Sequence, residues 1–201
     1  MKAFRRLRSI PTPFPRDNID TDIIIPAEYL KTVSREGLGK GAFETIRRRA
    51  DGTLRKDQPF DDPRWRGSEI LAVGANFGCG SSREHAAWAL ADLGYRVVIG
   101  ESFADIFASN AFKNGILTVT LAKEEMQAVI EAGTALDEIE VDLEAGEIRL
   151  ADGRTFAFET DPFRRRCLLE GLDEVGLTLS RHAAAIDAYE TKRCRSAPWM
   201  G

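Results

Sequence analysis

Between residues 70 and 121 the apolar residues alternate between two spacings, and that alternation constrains the fold more than any other feature. Ile70 to Ala75 is a short apolar run suited to a buried strand, and Arg83 to Leu93 is alanine-rich and helical. Arg96 to Ile99 is a second strand-like run, entered through Gly94. Phe103 to Phe112 has apolar residues at 103, 106, 107 and 111, a helical period, and Asn114-Gly115 is a helix stop. Ile116 to Leu121 is a third strand-like run. Strand, helix, strand, helix, strand in that order is the pattern of an α/β protein.

The flanks read differently. Residues 1–16 are basic and carry Pro11, Pro13 and Pro15, hence extended. Asp17-Asn18-Ile19-Asp20-Thr21-Asp22 reads as a solvated turn leading into a strand at Ile23-Ile24-Ile25, before Pro26. Residues 29–43 read as a loop with Gly37, Gly39 and Gly41, and residues 50–67 as a polar surface loop. Lys123 to Gly133 predicts a helix. Ile139, Val141 and Leu143, then Ile148 and Leu150, then Phe156 and Phe158 predict a small β-meander with turns at Ala145-Gly146 and Asp152-Gly153. Thr160-Asp161-Pro162 starts a helix that runs to about Leu172, and another covers roughly Leu179 to Thr191.

Composition narrows the function classes. The chain has 201 residues, enough for one sizeable core. Its longest strictly apolar run, Ala86 to Ala91, is far short of the about 20 residues that span a bilayer. The basic N-terminus has no apolar segment of the secretory kind. There are two His (His85, His182) and three Cys (Cys79, Cys167, Cys194). No two Cys have C-x-x-C spacing, which argues against a zinc or iron–sulfur site built from this chain alone. An odd cysteine count fits a reducing compartment, and the expectation is a cytoplasmic protein. Net charge is −4, yet residues 1–66 hold 15 basic against 10 acidic residues. That bias reads as solvated faces or as a preference for small anions, and no nucleic-acid motif accompanies it.

The most informative stretch is Asn76-Phe77-Gly78-Cys79-Gly80-Ser81-Ser82-Arg83-Glu84-His85, which joins a predicted strand to a predicted helix. Glycines let backbone N–H groups approach a ligand, a helix N-terminus favours anions, and Arg83 adds a bidentate carboxylate or phosphate clamp. The stretch lacks the third glycine of a dinucleotide fingerprint, the Gly-Lys-Ser/Thr of a P-loop and the Gly-x-Ser-x-Gly of a hydrolase elbow. Two readings stand side by side. Ser81-x-x-Glu84 is the spacing of a capping box, and the same turn is an anion site in which backbone N–H groups stabilise a serine alkoxide. His85 reads as a structural residue that bonds a neighbour, and Cys79 as a small buried one. Asp17, Asp20 and Asp22 lack the glycine at the sixth position of a calcium loop. They read as a solvated turn or as a carboxylate that orients an arginine or a serine.

Asp17 to Asp22 with Ile24-Ile25-Pro26, Asn76 to Ala86, and Ser102-Phe103-Ala104-Asp105-Ile106-Phe107 with Asn110, Asn114 and Gly115 together resemble the small subunit of bacterial 3-isopropylmalate dehydratase. Ile186-Asp187-Ala188-Tyr189-Glu190 and Trp199-Met200 extend the likeness. The resemblance implies a single aconitase-like swivelling domain over residues 1–201, an α/β (β/β/α) fold with a mixed, barrel-like sheet and flanking helices. It implies a mobile substrate loop at about 29–43 and a C-terminal helical extension at about 160–201. It implies isomerisation of 2-isopropylmalate to 3-isopropylmalate by dehydration and rehydration in leucine biosynthesis. The partner is a large subunit holding a [4Fe–4S] cluster, this chain binding no cofactor, nucleic acid or membrane. By the same resemblance Ser81 is the catalytic base and Asp22 orients catalytic groups. Ser82, Arg83 and Thr21 bind the dicarboxylate substrate, and Leu30, Lys31 and Val33 lie on the substrate-recognition loop. Ser34-Arg35-Glu36-Gly37 departs from the family's commoner Thr-Arg-Thr-Gly, which bears on the substrate and leaves the chemistry intact. The alternatives are the small subunit of a related hydro-lyase (homoaconitase, citraconate or dimethylmalate hydratase type) and a non-catalytic dicarboxylate-binding module.

Overall fold

Strands divide between two four-stranded sheets in the computed structural model, which describes residues 1–32, 34–197 and 199. The strands are β1 (Arg6–Ser9), β2 (Pro11–Phe14), β3 (Ile70–Val73), β4 (Val97–Gly100), β5 (Leu117–Thr120), β6 (Ile139–Asp142), β7 (Glu147–Arg149) and β8 (Thr155–Ala157). The helices are α1 (Thr21–Ile24), α2 (Glu44–Arg47), α3 (Glu84–Asp92), α4 (Asp105–Lys113), α5 (Lys123–Ala135), α6 (Pro162–Glu170) and α7 (Glu174–Ser196). This is the expected α/β architecture with flanking helices. Its parallel strands (order β2-β3-β4-β5) and antiparallel strands (order β1-β6-β7-β8) form separate sheets.

The parallel sheet follows from its sequence. The central strands β3 and β4 are buried along their whole length, so they read as unbroken apolar runs. β2 contains Pro11 and Pro13, which cannot donate to a ladder, and it lies at the sheet edge with Pro11 opposite Ile70. Successive side chains then sort to opposite faces. Ile70, Ala72, Val97, Ile99, Leu117 and Val119 join a core with α5 and the antiparallel sheet. Leu71, Val73 and Val98 face a second core with Ala86, Ala89 and Leu90 of α3, and Phe107 and Ala111 of α4. The stretch 6–14 supplies β1 to one sheet and β2 to the other, crossing between them at Ile10.

Two expectations are corrected. Residues 23–25 are not a strand. Thr21–Ile24 is a single helical turn, because the Asp20 carboxylate accepts from the Ile23 N–H at 2.7 Å and caps it. The 50–67 segment is only partly surface. Phe60 stacks on buried Phe43 at 4.1 Å, and Trp65 Nε1 donates to the Gly133 carbonyl at 2.9 Å.

Candidate active site

The loops that leave β2, β3 and β4 lie side by side at the C-terminal edge of the parallel sheet, where open α/β sheets place their ligands. Backbone bonds stitch them. The Gly78 N–H donates to the Ile19 carbonyl at 2.8 Å, and the Thr21 N–H to the Cys79 carbonyl at 2.9 Å. The Phe77 N–H donates to the Ser102 carbonyl at 3.1 Å. Asp17 accepts from the Ala75 N–H at 2.7 Å, and Asn76 donates to Asn18 at 2.9 Å. The acidic segment is therefore the mate of the glycine-serine turn. Gly78 has φ +77°, and a Cβ there would stand 2.2 Å from the Phe107 ring.

This stitching gathers Thr21, Asp22, Ser81, Ser82 and Arg83. The Thr21 hydroxyl, buried, donates to the Ser81 carbonyl at 2.9 Å and fixes the turn that presents both serines. Asp22 pairs with Arg83, whose side chain is mostly covered while that of Asp22 is half exposed. Ser81 and Ser82 are exposed. Neither caps α3, because the helix begins at Glu84 with Arg83 at the extended N-cap position and no side-chain cap bond. Glu84 turns away from any capping box and accepts from Trp88 Nε1 at 3.2 Å and Asn114 Nδ2 at 3.1 Å. Of the two readings of Ser81-x-x-Glu84, the cap is therefore the one the geometry removes. The exposed turn lies at the N-terminus of α3, the helix end that favours anions.

The 29–43 segment is built on short 3₁₀ turns, Ala27–Lys31 and Leu38–Lys40. Leu30 is partly buried against the second core and Lys31 is exposed. Val33 lies outside the described residues. The far end of the segment is core, with Leu38, Ala42 and Phe43 buried. Arg47, invisible to motif reading, holds that end. It donates to the Gly39 and Ala42 carbonyls at 3.0 and 2.9 Å and forms a two-point pair with Asp61 at 2.6 and 2.8 Å. The Arg47 guanidinium holds the Asp61 carboxyl below its usual range. The Tyr29 hydroxyl donates to Glu44 at 2.7 Å, and this bond, with burial, raises its pKa. His85 bonds a neighbour, its Nε2 standing 3.1 Å from the Thr32 carbonyl. Cys79 is partly exposed, a correction to the expectation that it is buried, because its turn lies at the open sheet edge. Among the described residues no three His, Cys, Asp or Glu side chains gather as a metal site.

Known proteins resemble this chain along its length. The family model of the aconitase C-terminal domain matches residues 1–124. A second model, for the C-terminal domain of the 3-isopropylmalate dehydratase small subunit, matches residues 174–201. The chain is 52% identical over 200 residues to the 3-isopropylmalate dehydratase small subunit of Erythrobacter litoralis, covering 100% of this chain and 96% of that protein. It is 49% identical over 202 residues to that of Paracoccus denitrificans, covering 100% of both. A crystal structure of 3-isopropylmalate dehydratase from Methanocaldococcus jannaschii aligns with a TM-score of 0.70 at 29% identity, covering 91% of this chain and 99% of that one.

Proposed function

The chain belongs to the 3-isopropylmalate dehydratase small-subunit family, and on that premise we propose that it works with a separate iron–sulfur large subunit to isomerise 2-isopropylmalate to 3-isopropylmalate in leucine biosynthesis. One observation carries the reading. Two segments about sixty residues apart, Thr21-Asp22 and Ser81-Ser82-Arg83, meet and set two serine hydroxyls beside an arginine on a face open to solvent.

Each residue has a task in this reading. Ser81 removes and returns the proton α to a substrate carboxylate. That proton is weakly acidic, so the base must work in a dry site, where the α3 N-terminal N–H groups stabilise its alkoxide. Arg83 has five N–H donors, one of which goes to Asp22, so others remain for a substrate carboxylate. Ser82 adds a hydroxyl donor to the same carboxylate. Asp22 orients Arg83, and Thr21 sets the height of Ser81 through its carbonyl. The segment 29–43, with Leu30, Lys31 and Val33, recognises the alkyl end of the substrate. In this reading the iron–sulfur cluster of the large subunit supplies Lewis-acid chemistry at the substrate hydroxyl. This chain acts as one swivelling domain that closes the site and excludes water. We place the enzyme in the cytoplasm, in keeping with an odd cysteine count and with no described helix long and apolar enough to cross a membrane.

Reconstitution tests the proposal. The purified chain alone is expected to show no dehydratase activity, and mixing it with an iron–sulfur large subunit is expected to restore turnover of 2-isopropylmalate. Robust turnover by the single chain would overturn the division of labour. Preference for homocitrate-type or dimethylmalate-type acids by the mixed enzyme would move the chain to a related hydro-lyase.

A further inference from the structure

Three side chains on α3 hold one stretch of the 29–43 segment. His85 Nε2 meets the Thr32 carbonyl at 3.1 Å, and since a carbonyl only accepts, that nitrogen carries the proton. The Arg35 guanidinium lies over the Trp88 ring, 5.2 Å from its centroid. The Gly39 N–H donates to Asp92 Oδ2 at 2.7 Å. Positions 85, 88 and 92 follow i, i+3, i+7 and share one helix face. Their partners rise in the same order, 32, 35 and 39, so the segment runs beside the helix in the same direction. The His85 and Trp88 rings also touch, with centroids 4.5 Å apart, which makes the first two holds one unit.

The same helix starts directly after Arg83. Its N-terminus presents Ser81, Ser82 and Arg83, while its flank carries the loop. We infer that the His85–Trp88–Asp92 face of α3 is a positioning face, which fixes the substrate loop relative to the Ser81–Arg83 turn and thereby sets discrimination by alkyl length. The inference rests on the reading of segment 29–43 as the substrate loop. The physical need is plain. One methylene in an apolar pocket discriminates by only about 10–200-fold, and a misplacement of about 1 Å erases much of that. Short 3₁₀ turns and exposed residues 34–37 do not set such a position by themselves. A rigid helix does. His85 is then a positioning residue that touches no reacting atom.

The test uses the enzyme reconstituted with a large subunit, assayed on 2-isopropylmalate and on 2-methylmalate, which carries a shorter alkyl group. His85→Ala is expected to raise KM for 2-isopropylmalate about tenfold, leave kcat within about twofold, and narrow the preference for the longer substrate. Arg35→Ala, at an exposed position and so tolerated by the fold, narrows it about threefold. His85→Gln, whose amide still donates to the Thr32 carbonyl, restores most of the preference. Leu30→Ala reports on the loop itself. If Leu30→Ala shifts the preference while His85→Ala and Arg35→Ala do not, the positioning face is overturned and the loop reading stands. If none of the three shifts it, the loop reading falls and the inference with it. A His85→Ala defect confined to kcat and unrepaired by His85→Gln places His85 with the Ser81 turn and overturns the inference.

Discussion

Ser81 differs from a helix-capping serine in one measurable respect, which is that its hydroxyl contributes nothing to α3. The helix begins three residues later, and the turn is held by the Thr21 hydroxyl on the Ser81 carbonyl. Removing the hydroxyl therefore leaves the fold alone. Ser81→Ala is expected to keep its thermal midpoint within about 1–2 °C, to assemble with a large subunit, and to lose at least about a hundredfold in kcat. A variant that unfolds early while keeping its turnover would restore the cap reading. This distinction was not legible in the sequence, because Ser-x-x-Glu spacing serves both roles. What decided it is the destination of Glu84, which reaches Trp88 and Asn114. The pairing of Asp22 with Arg83 was half legible: a carboxylate that orients an arginine was among the readings, but a sequence separation of 61 conceals which one.

At the scale of elements, the strands and helices from residue 70 onward followed their periodicity because burial dictates it there. The N-terminal quarter did not. Ile23-Ile24-Ile25 has strand composition, yet one capping carboxylate at Asp20 made it a helical turn. The Arg47–Asp61 clasp was silent too, since nothing in its spacing marks it. Its consequence is a pH dependence. Asp61 has its folded pKa lowered by Arg47, so the unfolded chain takes up that proton more readily than the folded one. The pair's contribution is full above the ordinary carboxylate value of 3.8 and fades as pH falls through the lowered folded value. Asp61→Asn is expected to cost about 3 kcal/mol at pH 7, because it leaves Arg47 largely buried and without its counter-charge. The gap to the parent chain should shrink below about pH 4, and denaturant titrations at both pH values would show it. A gap that widened on acidification would refute the assignment. A second prediction concerns α7, which kinks at His182. Beyond that point every described residue except Ile186 and Ala197 is exposed. A chain ending at Arg181 is expected to keep its unfolding midpoint within about 3 °C. A loss above about 10 °C would mean that the distal helix supports the core.

The whole molecule presents its candidate site on the rim of a sheet, with Asp22, Ser81 and Ser82 facing water. The cation of the site, Arg83, is already paired with Asp22, and water competes for the donors of the exposed serines. The isolated chain is therefore expected to bind 2-isopropylmalate no more tightly than about millimolar by calorimetry. Micromolar binding would mean that one chain already encloses its ligand. The fold class was legible from the alternation of residues 70–121. The partition into two sheets was not, because it depends on the crossing at Ile10, where no residue advertises a change of partner.

That crossing also has a consequence in time. β2 finds its neighbour β3 some sixty residues on, but β1 must wait for residues 139–142, about 130 residues later. During synthesis, at about 5–20 residues per second, the wait is on the order of ten seconds. Through that interval the backbone of residues 6–9 is an unclaimed hydrogen-bonding ribbon, with Phe4 and Leu7 outside the core they later enter. The parallel half can close on the ribosome. The antiparallel half is the step that retains the nascent chain in an aggregation-prone form.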